Sequence, residues 1–482
     1  MAEEDLFEAR KQKLERWTNP WPAKFHRTHV AGQIRSEFET LPAGEDSGKQ
    51  ATVAGRLISK RAMGKLGFAD IQDSSGKIQL MITAGDLDAF DTGDIVGASG
   101  EVIRTKRGEL SVRTDSPVLL SKALRSPPDK WHGVADTEVR YRQRYLDLIA
   151  NPEARRIARA RVDTLASIRR FLDERDFLEV ETPTLHPIFG GGYAQPFVTH
   201  YNAIDRDMFL RVATELYLKR LIVGGLDRVY EVGRVFRNEG VDWKHSPEAT
   251  MLETYEAYAD YLDVMDFVQA MVRRAADDAI GTTKVSFRES DFDLADEWRR
   301  VTMHDLVTEV TGETVTADTD IDTLKTLAQR HHLRVEPWWG PGMIVGEIYD
   351  KVAEATLKSP TIVYDYPKEI SPLAKDHRDD PRLVERFEAV VCGMELCNAF
   401  SELNDPIEQR KRFEGQQELR EHGDMEANPI DDAFLEALEY GMPPTGGLGV
   451  GLDRLVMVLT GANTIREVIL FPALRSEGTD SG

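Results

Sequence analysis

Arg228 to Tyr258 reads RVYEVGRVFRNEGVDWKHSPEATMLETYEAY. Val229, Val232, Val235 and Phe236 mark a β-favouring run that ends at Arg237. Gly240 to Pro247 (GVDWKHSP) is turn-rich and charged, and Glu248 to Tyr258 returns as a strand. The stretch is therefore read as two antiparallel strands joined by a long polar loop. The two-residue period of a strand puts Ala249, Met251, Glu253 and Tyr255 on one face. A carboxylate and a phenol are wasted there unless that face lines a site. Arg237, Glu239, Lys244 and His245 gather at the loop. Guanidinium forks match phosphate oxygens in a bidentate way, so the stretch predicts a site for an anionic, phosphate-bearing ligand. The alternative is an ordinary hairpin with surface charges.

FRNEG, then HSPE, then MLETYEAYADY resembles motif 2 of class II aminoacyl-tRNA synthetases, and within them the lysyl family. Further motifs follow in the order of that family. Arg156 to Glu174 is an amphipathic helix, with Leu165, Ile168, Phe171 and Leu172 at helical spacing, and FLEVETPTL follows as an alternating strand broken by Pro183. The pair resembles motif 1, which implies a homodimer contact; a helix packed on its own sheet is the plain alternative. TGGLGVGLDRLVMVLTG, Thr445 to Gly461, is a glycine-dense strand entering a helix. Alone it suits a dinucleotide loop or tight packing; here it resembles motif 3.

Composition narrows the rest. The 482 residues suit roughly two to four domains, and 41% hydrophobic residues can bury sizeable cores. The formal net charge of −22 opposes nucleic acid overall, so any tRNA contact must use local basic patches and weaken with salt. The only two cysteines, Cys392 and Cys397, exclude a disulfide scaffold, suit a reducing cytosol and read as small strand residues rather than zinc ligands. The N-terminal MAEEDLFEARKQKLERW reads as a charged helix rather than a signal sequence, and no apolar run has membrane-spanning length. The expected location is cytoplasmic, without membrane association.

The expected fold is α+β. Residues 1–50 read as a helical extension and linker, with LPAGEDSGKQ (41–50) linker-like by composition. Residues 51–122 carry about five short alternating runs, which suit an OB-fold β-barrel of the oligonucleotide-binding type. Arg56, Lys60, Arg61 and Lys65 supply local positive charge there, and Phe68 is either a stacking platform or a core residue. Residues 123–150 read as a connection in which RYRQRYLDL is a basic helical segment, and its arginines, including Arg140, Arg142 and Arg144 and with Arg155 and Arg156 just beyond, are assigned to a domain interface in preference to tRNA. Residues 151–482 are expected to form a class II antiparallel-sheet catalytic domain with a helical insertion at about 301–370. His331 and His332 within it point apart and read as surface residues.

The remaining site residues come from two acidic regions. Glu215 begins a helix in LRVATELYLKRL, where it either caps the helix or meets an ammonium. In FEAVVCGMELCNAFSELND, Asn398, Phe400 and Glu402 share a strand face, while Glu395 has the opposite parity and needs a bulge or another wall to join them. Glu388, Glu395 and Glu402 would be expensive to bury unpaired. The glycine-rich FGGGYAQPF (189–197) allows close backbone approach but is not a Walker loop.

The resemblance implies an ATP-dependent lysine–tRNA ligase, with a paralogue that lysylates a protein or lipid as the alternative. It implies that Arg237, Arg454 and Glu239 carry the chemistry. ATP would be held by these with His245, Glu388, Glu395 and Gly451, and Mg2+ by Glu388 and Glu395. Lysine would meet Gly191, Glu215, Glu253, Tyr255, Asn398, Phe400 and Glu402, and the anticodon of tRNA(Lys) would meet Phe68, Gln79 and Glu109. The sequence departs from the family at Ala249, where a phenylalanine usually stacks on adenine, and at Lys244 and Ser246, which replace an arginine and an asparagine. Cover from Trp243, Met251 or Arg454 is the expected substitute for that ring.

Overall fold

The computed structural model describes residues 3–64, 66–128, 134, 136–424 and 426–474; Lys65 and the last residues of the chain lie outside them. The chain divides into two compact units, Met1–Ala135 and Asp136–Gly482.

In the first unit, alternating burial drives barrel formation. The long strand Asp46–Met63 buries Ala51, Val53 and Leu57 on one face and pairs with both Leu66–Asp73 and Ile95–Arg104. Gly76–Ile82, Leu110–Thr114 and Val118–Ser121 complete a six-stranded sheet that closes through these two pairings. Strand structure begins at Asp46, inside the stretch read as linker, because Asp46 pairs with Ile103 and Gln50 with Glu101. A short helix, Ala31–Glu37, which sequence reading missed, contributes Ala31 and Ile34 to the barrel core.

The second unit is built on an eight-stranded sheet. Its strand order is Arg299–Thr302, Thr361–Pro367, Leu383–Val391, Met394–Ser401, Thr445–Gly451, Glu248–Ala257, Arg228–Phe236 and Leu178–Glu179. Only the two outermost pairings are parallel. One face is covered by the apolar stripes of helices Pro152–Asp173, Tyr261–Ile280 and Leu452–Thr460, which form the main core with Leu252, Phe387, Leu448 and Val450. The other face is partly covered by helices Glu215–Val223 and Asp432–Glu439, and a site occupies the remainder.

Three expectations need correction. FLEVETPTL is strand only at Leu178–Glu179 and Leu185, because Pro183 and its neighbours leave the ladder. The helical insertion stops short of residue 370: Thr361–Pro367 is a strand of the main sheet, paired to Leu383–Val391. The basic helical segment read as part of the connection forms helices Thr137–Arg142 and Arg144–Ala150, which belong to the second unit. There Arg144 is buried and donates to the carbonyls of Arg466, Ile469 and Leu470, and Arg156 donates to Thr460 O. These arginines hold the unit's own C-terminal segment.

Candidate active site

The strand register explains why the site forms where it does. Directly paired residues across an antiparallel sheet share a face. Glu388 pairs with Asn398, Asn398 with Gly449, and Gly449 with Glu253, giving one row across four strands. The next row runs Arg386, Phe400, Gly447, Tyr255. The middle strand is glycine at both crossings, and this makes room: a Cβ on Gly447 would overlap Glu402 Oε1 and the Tyr255 ring. Glu395 joins this face through a bulge. Ala389 pairs with Cys397 but Val390 pairs with Glu395, so Leu396 is the extra residue that resets the parity.

A cavity of about 730 Å³ lies over these rows. It brings together all but the three barrel residues of the sequence-derived site: Gly191, Glu215, Arg237, Glu239, His245, Glu253, Tyr255, Glu388, Glu395, Asn398, Phe400, Glu402, Gly451 and Arg454. Ala249 and Met251 line it as the strand period required.

One end is acidic and almost fully enclosed. Glu215, Glu253 and Glu402 are each buried. Glu253 accepts the Thr214 N–H at 3.0 Å and the Tyr255 O–H at 3.2 Å, and burial, then the nearby Glu215, pushes its carboxyl up to about 7. Burial drives Glu402 well above the usual carboxylate range, against the pull of Lys219. Glu215 starts the Glu215–Val223 helix but is not its cap; its Oε1 pairs with Lys219 Nζ at 2.5 Å. Lys219 is completely buried and also contacts Glu402, so that carboxylate is not buried without a counter-charge. Burial disfavours the Lys219 ammonium, but Glu215 and Glu402 more than offset it and keep it charged. Sequence reading missed Lys219, although Glu-to-Lys spacing of four on one helix was visible.

The other end mixes acids with arginines. Glu388 is half-buried and pushed up to about 7 by desolvation, despite Arg386, whose guanidinium donates to it at 2.6 Å. Arg386, also missed from sequence, donates to Asn398 Oδ1 at 3.1 Å. Burial pushes Glu395 up, but Arg454 and then Arg237 hold it below its ordinary range. Arg454 donates to Glu395 Oε2 at 2.9 Å and to its carbonyl at 2.8 Å. Among the described residues Arg237 makes no ion pair; it reaches only Val212 O and Met251 Sδ. It is thus the guanidinium most open to an incoming anion. His245 is held by Asp242 at 2.7 Å, and Lys244 turns toward Glu354 and Gly393 O. Trp243 does not line the cavity: Arg288 lies 3.8 Å from its ring centre. Met251 and Arg454 remain the candidates for covering an adenine.

Two clamps fix the parts. Asp453 accepts from the Thr250 N–H at 2.7 Å and from Arg161, which also donates to Thr250 Oγ1, tying all three motifs together beside Arg454. Gly191, at φ +80, donates its N–H to Asn428 Oδ1 at 3.1 Å, so the glycine loop is held over Glu215.

In the first unit, Asp70 pairs with Gln79 and Phe68 with Met81, and Gln79 pairs with Ser111, so Phe68 and Gln79 share a face. Phe68 is half-buried under Arg61 at 5.5 Å and is not part of the barrel core. Gln79 is buried and bonded to Ser111 at 3.1 Å, and Glu109 is exposed. Cys397 lies in a strand, but Cys392 sits at φ +51 with Gly393 at φ +66 in the hairpin turn, which corrects its reading as a strand residue.

Residues 136–475 match the family model described as "tRNA synthetases class II (D, K and N)", and residues 51–117 match that for an "OB-fold nucleic acid binding domain". A protein named lysine–tRNA ligase from Bacillus subtilis is 47% identical over 98% of this chain and 97% of its own. One from Moorella thermoacetica is 48% identical over 98% of both, and one from Nostoc punctiforme 47% identical over 99% of this chain and 89% of its own. Fold, motifs and similarity agree: this chain belongs to the class II tRNA synthetases, with an OB-fold unit preceding the catalytic one.

Proposed function

We propose that this protein is a lysine–tRNA ligase: it activates L-lysine with ATP to lysyl-adenylate and passes the lysyl group to the 3′ end of tRNA(Lys). The observation that carries this reading is the convergence of Glu215, Glu253 and Glu402 in one buried end of a cavity whose other end holds Arg237 and Arg454. Two ammonium groups need buried acids, and a triphosphate needs guanidinium groups.

No side-chain nucleophile is needed. Glu215 would take the α-ammonium, while Glu402, Glu253 and Tyr255 would take the side-chain ammonium. Asn398 and Phe400 would line the path between, with Gly191 above. The substrate carboxylate would then lie near Arg237, which neutralises the α-phosphate as attack proceeds, with Glu239 and His245 orienting the nucleotide. Arg454 would leave Glu395 for the phosphate tail. Gly451, at the mouth of its helix, leaves the backbone open to the nucleotide. Rejection of uncharged amino acids follows, because they would leave buried carboxylates unmatched.

The residues fit Mg2+. Arg386 donates to Oε1 of Glu388 and Arg454 to Oε2 of Glu395, and carboxylate oxygens are the hard ligands that Mg2+ takes. Two carboxylates are fewer ligands than a magnesium ion takes, so phosphates and water would complete its shell. Bound there, Mg2+ would neutralise phosphate charge.

The OB-fold unit supports a tRNA acceptor over a protein or lipid, with Phe68, Gln79 and Glu109 as anticodon contacts. The OB-fold domain is placed within the first compact unit and the catalytic domain within the second, with the boundary at residue 135. Exposed Val162, Leu178, Leu185, Val198 and Ile204 on and beside the motif 1 elements support a homodimer. Among the described residues no helix is long and apolar enough to cross a membrane, and a cytoplasmic location is proposed. The deciding experiment is amino-acid-dependent ATP–pyrophosphate exchange across the standard amino acids, followed by charging of tRNA. Lysine alone should drive exchange; exchange without lysine preference overturns the specificity.

A further inference from the structure

We propose that Lys219 is a positioning residue that fixes the spacing between Glu215 and Glu402, and so sets the length of diamine-bearing amino acid that the pocket accepts. The inference rests on the lysine reading of the pocket.

Glu215 and Glu402 come from different elements. Glu215 stands on the Glu215–Val223 helix, and Glu402 directly follows the Met394–Ser401 strand. Lys219 bridges the two: its Nζ lies 2.5 Å from Glu215 Oε1 and in contact with Glu402 Oε2. It has no solvent exposure, and the rings of Phe400 and Phe434 lie 5.4 and 5.9 Å from the ammonium, so it cannot swing away. Apart from that Lys219 contact, neither Glu402 oxygen has a hydrogen-bond partner among the described residues. The position of that carboxylate therefore depends on Lys219, and its acceptor capacity stays open to the cavity. Charge is counted by the same arrangement. The groups facing this end are Glu215, Glu253, Glu402, Tyr255, Lys219 and, farther off, Arg386. Three carboxylates less one resident ammonium leave two, which matches the two ammonium groups of lysine.

The distance between two carboxylates is a ruler only if something holds both ends. A pocket that reads one methylene separates substrates by about 10- to 200-fold. Ornithine, one methylene shorter than lysine, is the probe. The test is ATP–pyrophosphate exchange with lysine and with ornithine for the wild type, K219M and K219R, with KM for ATP measured alongside. In K219M the KM for lysine is expected to rise about tenfold or more while that for ATP stays within about twofold, and the lysine-to-ornithine preference in kcat/KM should fall about tenfold. K219R keeps the charge but changes the reach, so its preference should fall as well; where K219M does not fold, K219R decides. An unchanged preference in the folded variants, or KM values for lysine and ATP that rise together, overturns the proposal. A wild type without lysine-dependent exchange instead overturns the reading beneath it.

Discussion

Glu253→Gln should make the empty enzyme more stable and the working enzyme worse. Glu253 is 4% exposed and its carboxyl sits at about 7, against 4.5 for an ordinary glutamate. A folded-state value above the unfolded one means the native state binds the proton more tightly. The stability this group contributes is therefore fully present below 4.5 and is lost as pH rises from 4.5 through about 7. The shift of about 2.5 units corresponds to about 3 kcal/mol, roughly 1 of it already lost at pH 5.5 and all of it by pH 8.5. Glutamine has nearly the same shape, can still accept from the Thr214 N–H, and carries no charge to desolvate. For a catalytic unit of this size 3 kcal/mol is about 4 °C in Tm. Thermal unfolding of the empty protein at pH 8.5 should show E253Q more stable by several degrees, with a smaller gain at pH 5.5. Lysine activation should move the other way, with kcat/KM for lysine falling about 10- to 100-fold as a charged hydrogen bond is lost. In the wild type, KM for lysine should rise as pH falls through about 7, and in E253Q that dependence should flatten. An E253Q protein that is no more stable at pH 8.5, or that activates lysine normally, would refute the assignment of Glu253 as a carboxylate held for an ammonium.

Arg237→Lys removes the bidentate fork and should lower kcat for exchange about 100-fold or more with little change in KM for lysine, measured by exchange kinetics. Ala249→Phe adds a ring over the nucleotide end and should lower KM for ATP or leave it unchanged; a clear rise would show that another group fills that space. Phe68→Ala should raise KM for tRNA about tenfold in charging assays, the loss of one stacked base, and leave lysine-dependent exchange untouched. Asp453→Asn leaves Arg161 buried without its charge partner and should cost about 3 kcal/mol in denaturant unfolding, with a fall in kcat because Arg454 adjoins it.

The parts legible in the sequence were those governed by short-range period. The two strands of Arg228–Phe236 and Glu248–Ala257, and the face shared by Ala249, Met251, Glu253 and Tyr255, follow from a two-residue repeat. The parity of Glu395 called for a bulge or another wall, and Leu396 supplies the bulge. What was not legible depends on partners distant in the chain. Thr361–Pro367 looks like the tail of a helical insertion until Leu383–Val391 pairs with it. Asp46–Gln50 has linker composition and becomes strand because Glu101 and Ile103 lie opposite. Arg144 carries a surface residue's chemistry and is buried because the carbonyls of Arg466, Ile469 and Leu470 converge on it. Lys219 could be placed beside Glu215 by helical spacing, but nothing local places Glu402 on its other side.

That last pairing bears on how the pocket can be empty at all. Three buried carboxylates without counter-ions would repel one another and resist desolvation, and the native state would favour protonating them over keeping them charged. The structure meets this in two ways: Lys219 stays charged between Glu215 and Glu402, while Glu253 sits at about 7 and can hold a proton until something better arrives. An ammonium entering the pocket displaces that proton, whereas a neutral side chain has nothing to exchange for it. Selectivity then comes from unfavourable charge in the empty site as much as from contacts in the filled one, and the same charge should appear as lost stability in the absence of substrate. Added lysine should therefore raise Tm more at pH 8.5 than at pH 5.5, and equal shifts at the two pH values would mean that the acids are not the groups that receive it.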